Sequence, residues 1–178
     1  VELLKIEQYV EMVLGYLRLD SESTDYVLRD TDLDGLLRQA VRKFARMFIL
    51  KKITLDFRET GRTVLTDGKW LSFVVEQVLS NALKYTPAGG EIRIFQDPAE
   101  TLVIADTGIG IAPEDLPRIF DKGYTGHNGR MDKKATGIGL YLCRRVTNLL
   151  GHTITVTSQL GQGTQVHLGL GRPKFDIE

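Results

Sequence analysis

Leu3, Ile6, Val10, Val13 and Leu17 stand three, four, three and four residues apart. That 3.5-residue period is the seam of a coiled coil or helical bundle. It runs for about two heptads and faces further helices, including those of a second chain; a terminal helix lying on its own domain is the other reading. Asp20-Ser21-Glu22-Ser23 breaks the pattern as a polar linker. Tyr26-Val27-Leu28 is a short strand candidate. Asp32 is placed to cap a long helix through about Leu50, with Leu33, Leu36, Leu37, Ala40, Val41, Phe44 and Phe48 on one side.

The period then shortens. Ile53–Phe57 alternates as a half-buried strand, Gly61-Arg62 is a turn, and Val64-Leu65-Thr66 is a further strand. Asp67 caps a predicted helix from about Lys69 to Tyr85, stopped by Pro87 and Gly89-Gly90. Glu91–Gln96 and Thr101–Asp106 form the next strand pair. A glycine-rich, charged loop occupies 121–136, an amphipathic helix covers Gly139–Leu150 and closes on Gly151, and Thr153–Ser158 with Thr164–Leu170 makes a closing hairpin. The pattern predicts an α+β fold: a two-layer sandwich with helices on one face of a mixed sheet, preceded by one bundle helix. Residues 1–22 form the helix and linker, and 23–178 the domain.

Composition narrows the class. The 178 residues suit one compact domain and an appendage. Lysines plus arginines number 23, as do aspartates plus glutamates, so no basic excess favours nucleic acid or a membrane surface. A single cysteine rules out an internal disulfide and fits a reducing compartment. No apolar run reaches the roughly 18–20 residues that span a bilayer, and there is no signal peptide. The chain opens on Val1 in mid-pattern, without a Met or a cap, which reads as a piece of something longer.

Candidate chemistry begins at Asp106-Thr107-Gly108-Ile109-Gly110-Ile111, after the apolar run Leu102–Ala105. A carboxylate at a strand end beside glycines can read a nucleotide base, because a backbone without Cβ approaches a ligand closely; an ordinary turn has the same composition. The helix 69–85 places Gln77, Lys84 and Tyr85 within roughly 50–60° of Asn81, beside an apolar arc of Leu71, Val75, Val78, Leu79, Ala82 and Leu83. An Asn oxygen suits Mg²⁺, Lys suits phosphate, and a Tyr ring lies against a base; a solvated helix edge is the bland alternative. Thr136-Gly137-Ile138-Gly139-Leu140 opens the last helix, where free N–H groups and the helix dipole favour phosphate. It is neither a Walker motif nor a Rossmann fingerprint. Between the glycine loops, Lys122, Arg130, Lys133 and Lys134 make a basic segment that is either a lid over a nucleotide or a surface loop.

Asn81 with Lys84-Tyr85, then Asp106-x-Gly108-x-Gly110, Phe120, and Gly137-x-Gly139-Leu140, follow one another across about 60 residues. This order resembles the ATP-binding catalytic domain of sensor histidine kinases (the Bergerat fold), within the wider group of gyrase, Hsp90 and MutL. The stretches Trp70–Gln77, Gly123–Arg130 and Gly139–Cys143 are similar to the bacitracin-sensor type of intramembrane-sensing kinases, which work with peptide-antibiotic ABC transporters. The resemblance implies ATP and Mg²⁺, with Asn81 as metal ligand and Asp106 accepting from the adenine amino group. Lys84 and, in the lid, Lys122 would meet phosphate. Tyr85 and Ile111 would flank the base; Gly108, Gly110, Thr136, Gly137, Gly139 and Leu140 would shape the backbone of the site. It also implies a cytoplasmic part of a bacterial cell-membrane protein, a homodimer, and a response regulator as phosphoryl acceptor. Residues 1–19 would be the second helix of the dimerisation and phosphoacceptor bundle.

Two departures bear on chemistry. Gln77 stands where the gyrase and MutL ATPases carry a catalytic Glu, and an amide cannot take a proton from water. Glu76, about 140° around the helix from Asn81, should point elsewhere. This favours phosphoryl transfer to a protein over ATP hydrolysis. The other implied alternative, a serine kinase of the anti-sigma-factor type, needs no bundle helix. Second, none of His127, His152 and His167 lies on the N-terminal helix, so the acceptor His is expected outside this chain, and the three read as surface or packing histidines.

Overall fold

The structure, a computed structural model, describes residues 2–21, 25–126 and 136–171. Helix α1 (Glu2–Leu19) leads into β1 (Arg29–Asp32), α2 (Leu33–Lys43), α3 (Ala45–Leu50), β2 (Thr54–Phe57) and β3 (Thr63–Thr66). Then come α4 (Gly68–Tyr85), β4 (Glu91–Gln96), β5 (Leu102–Asp106), α5 (Gly139–Leu149), β6 (Thr153–Gln159) and β7 (Gly163–Gly169). Five strands form one sheet in the order β2-β4-β5-β7-β6, with β2 parallel to β4 and the remaining neighbours antiparallel. A separate two-stranded sheet pairs β1 with β3. The α+β sandwich expected from the sequence is therefore present.

Register explains the core. Phe57, Ile94, Ile104, Val166 and Val156 lie opposite one another across all five strands, and Leu102, Leu168 and Ile154 form the next row. These rows join Leu71, Val75, Val78, Leu79 and Leu83 of α4, and Leu142 and Val146 of α5, in one cluster. Strand alternation sends Arg93, Phe95, His167 and Thr155 to the opposite face. The helices cover one face. No helix among the described residues is long and apolar enough to cross a membrane.

Several local expectations need correction. The apolar triplet Tyr26-Val27-Leu28 is not a strand: the Val27 amide donates to the Asp67 carboxylate at 2.9 Å, and pairing starts only at Arg29, opposite Thr66. The single helix expected from 33 to 50 breaks at Phe44, whose ring is buried while its backbone leaves the helical region at φ −100° and ψ 4°. Asp32 makes no capping bond with its side chain. Asp34 is used instead, its buried carboxylate accepting from the amides of Thr60 and Gly61 at 2.8 and 2.7 Å. Asp67 does cap α4, accepting from Lys69 and Trp70.

Helix α1 lies on the domain through one face and leaves the face of the heptad seam uncovered among the described residues. The seam residues Leu3, Ile6, Val10, Val13 and Leu17 are all exposed. The opposite side lies on the domain: Met12 and Leu19 are buried, Gly15 lies against the Phe73 ring, and Glu11 shares Lys43 with Glu76.

Candidate nucleotide site

Three segments meet around α4. Its last two turns carry Asn81, Lys84 and Tyr85, and the Lys84 ammonium lies 5.1 Å from the centre of the Tyr85 ring. The Tyr85 carbonyl accepts from the Ile109 amide at 3.2 Å, which fastens the first glycine loop to the helix end. Two turns earlier, Gln77 faces Gly139 at the start of α5; a Cβ there would lie 3.1 Å from the amide oxygen. Eight residues separate Gln77 from Tyr85, so the two glycine loops sit about 12 Å apart along one helix.

Asp106 ends β5. Its Oδ1 accepts from the Gly108 amide at 2.8 Å and from the Thr164 amide at 3.3 Å, leaving Oδ2 without a hydrogen bond among the described residues. Burial pushes this carboxyl above the usual carboxylate range, while the two amides favour the ionised form. The loop around it is fixed by backbone contact. A Cβ on Gly108 would come within 2.7 Å of the Tyr85 carbonyl, and one on Gly110, at φ +72°, within 2.2 Å of the Gln159 carbonyl. The Ile111 amide donates to Ser158 Oγ at 2.8 Å, and the Gly161 amide to the Ile109 carbonyl at 2.8 Å. The turn between β6 and β7 is thus part of the site, through Ser158, Gly163 and Thr164. Its glycines were visible in the sequence, but the register that sets Thr164 opposite Asp106 was not.

The second loop is held differently. Gly137, at φ +65°, gives its carbonyl to the Gly123 amide at 2.9 Å. Thr136 Oγ1 bonds Met12 Sδ of α1 at 3.4 Å, and Leu140 lies half-buried in the first turn of α5. Lys122 is drawn to α1: its ammonium donates to the Tyr16 hydroxyl and lies 4.7 Å from that ring's centre. That bond raises the ammonium above the ordinary lysine range. Two residues on, Tyr124 donates its hydroxyl to the buried Asp115 and stacks under Arg118. The rest of the expected lid, with His127, Arg130, Lys133 and Lys134, lies outside the described residues.

Other expectations concern what is kept away. Glu76 is turned from the loops into an ion pair with Lys43 at 2.8 Å. His152 is a packing residue bonded to Thr66 Oγ1 at 2.9 Å, and His167 bonds Thr157 Oγ1 at 3.0 Å. No group of three or more His, Cys, Asp or Glu gathers among the described residues. Asn81 offers a neutral amide oxygen, which suits an ion that brings phosphate and water as its other ligands.

A mixed sheet with helices on one face, and two glycine loops laid along one of those helices, defines the Bergerat class of ATP-binding folds. The chain belongs to the histidine kinase-, DNA gyrase B- and HSP90-like ATPase family, whose profile matches residues 66–174. It is 35% identical over 170 residues to the sensor histidine kinase YxdK of Bacillus subtilis (strain 168), covering 93% of this chain and 52% of that protein. It is 38% identical over 166 residues to the sensor protein BceS of Halalkalibacterium halodurans, covering 92% and 49%. Among solved structures, the crystal structure of full-length ShkA in complex with AMPPNP superposes with a TM-score of 0.74 at 27% identity, over 97% of this chain and 36% of that one. The chain spans about half the length of the curated relatives it matches.

Proposed function

We propose that this chain is the ATP-binding catalytic part of a two-component sensor histidine kinase. Residues 1–22 would be the end of the dimerisation and phosphoacceptor region with its linker, and 23–178 the catalytic domain. The observation that carries the reading is Asp106: Oδ1 is fixed by two backbone amides while Oδ2 is open to an exocyclic amino group. Tyr85 and Ile111 flank the base in this reading. Gly108 and Gly110 bring the backbone close to it. Lys84 and Lys122 meet phosphate, and Thr136, Gly137, Gly139 and Leu140 shape the helix start that receives it. Asn81 would hold Mg²⁺, which neutralises phosphate charge when bound.

The chain's own residues favour transfer over hydrolysis. Gln77 stands beside the second loop as an amide, and the nearest carboxylate in sequence, Glu76, is committed to Lys43. The γ-phosphoryl would therefore leave the β-phosphate oxygen for an imidazole nitrogen upstream of Val1, and pass from there to a response-regulator aspartate. Positioning and charge neutralisation suffice for such a step. In the full protein we place this part in the cytoplasm beneath a bacterial cell membrane, in a homodimer that works beside a peptide-antibiotic ABC transporter and reports antimicrobial peptides. The exposed seam of α1 supports packing against further helices.

Incubating the chain with γ-labelled Mg-ATP tests the assignment. Nucleotide should bind and the chain should stay unlabelled, while the full protein acquires an acid-labile, base-stable label. Such a label on this chain alone would overturn the placement of the acceptor.

A further inference from the structure

Helix α4 ends without the left-handed glycine that closes many helices: Thr86 follows in an extended conformation, and Pro87 comes next. Its last carbonyls still need donors. The Ala82 carbonyl takes the Thr86 amide at 3.0 Å, and the Tyr85 carbonyl takes the Ile109 amide. The others converge on one side chain from 32 residues away. The Lys51 ammonium donates to the Leu83 carbonyl, to the Thr86 carbonyl at 2.6 Å and, at 3.5 Å, to that of Lys84. Lys51 is itself held from both sides, its amide bonded to the Met47 carbonyl and its carbonyl to the Gly89 amide, each at 3.0 Å.

The carbonyl of Tyr85 therefore sits between two that Lys51 grips, and it is the one that carries the first glycine loop. We propose that Lys51 is a positioning residue of the nucleotide site, fixing the end of α4 so that Tyr85 and its carbonyl meet the loop of Asp106 and Gly108. Its positive charge also offsets the negative end of the α4 dipole beside Lys84. Burial lowers the Lys51 ammonium from the ordinary lysine range, so its grip is lost at lower alkaline pH than an exposed lysine's would be. The link to nucleotide rests on the function proposed above; the link to the loop does not.

The test compares the wild-type chain with Lys51→Met, Lys51→Gln and Lys51→Arg. Two quantities are read: affinity for Mg-ADP and for adenosine by calorimetry, and hydrogen exchange of the Ile109 amide. Lys51→Met should weaken both ligands about tenfold, and Ile109 should exchange at least tenfold faster while amides of the β6–β7 pair keep their rates. Lys51→Arg should recover most of both, with Lys51→Gln between. Wild-type affinity should fall as the pH rises toward the ordinary lysine range, and that of Lys51→Arg should fall less over the same interval. If Lys51→Met melts below the assay temperature, the Gln and Arg variants carry the comparison. Unchanged affinity and unchanged Ile109 exchange in a folded variant would overturn the proposal, as would a loss of stability shared evenly by all amides. Should wild type bind no nucleotide, the function proposed above fails, and Ile109 exchange still decides the role of Lys51.

Discussion

The two glycine loops share a composition and differ in what holds them. The first, at Asp106–Ile111, is enclosed by backbone from three elements: the end of α4, the start of β4 and the turn between β6 and β7. The second, at Thr136–Gly139, has one backbone pairing, with Gly123, and otherwise leans on side chains of α1 and α4. Backbone contacts across a packed sheet leave little freedom. Side-chain contacts, such as that of Thr136 with Met12 of α1, can be exchanged at small cost. In the function proposed above, the base end of the site would be preformed, and the phosphate end would depend on where α1 lies.

The hardest way to break that contrast is to fill the first loop. Gly110→Ala puts a methyl 2.2 Å from the Gln159 carbonyl at φ +72°. It should cost about 3–4 kcal/mol of folding stability by denaturant titration. Gly123→Ala has the same sign of φ but nothing within 4 Å. It should cost only about 1–2 kcal/mol. Equal losses would erase the distinction.

Acid is a milder break, away from both loops. His152 precedes β6, is buried against Thr66 Oγ1, and is kept from protonating by desolvation. The unfolded chain takes up the proton first. Stability is therefore whole above the unfolded value of about 6.5 and declines as pH falls from there toward the lower folded value. Thermal melts in His152→Gln should lose this slope.

Undocking α1 addresses the second loop. Lys43→Met removes the cation shared by Glu11 and Glu76. It should cost about 1 kcal/mol and speed amide exchange at Gly123 while sparing Ile109. The smallest effect belongs to Tyr16→Phe, which deletes the bond to Lys122 and keeps the ring. The melting midpoint should stay put, with Gly123 exchange alone rising. A matching rise at Ile109 in either variant would contradict the separation of the loops.

What the sequence revealed was local. Asp67 reads as a cap because its partners are two and three residues on, and the apolar arc of α4 reads as core because its spacing repeats. Asp106 reads as a strand end before glycines. Bonds closed by tertiary register left no local trace: Thr164 reaches Asp106 across 58 residues, and Lys51 reaches Leu83 across 32. Phe44 fits the helical period yet ends the helix, because its ring goes to the core while its backbone turns away. On α1 the exposed seam was legible, but the docking face was not. Gly15 and Tyr16 form no apolar stripe, and their meaning comes from Phe73 and Lys122.

Calorimetric titration of Mg-ADP into wild type and Asp106→Asn tests the central claim most directly. Asparagine keeps an oxygen for the amides of Gly108 and Thr164 and puts an NH₂ in place of Oδ2, which the proposed function turns toward the base, so the loop should survive and the base contact should not. Wild type should bind, and the variant should bind about 1–3 kcal/mol more weakly, roughly five- to 150-fold. Equal affinity in the two proteins would contradict the reading of Asp106 as the residue that recognises the base.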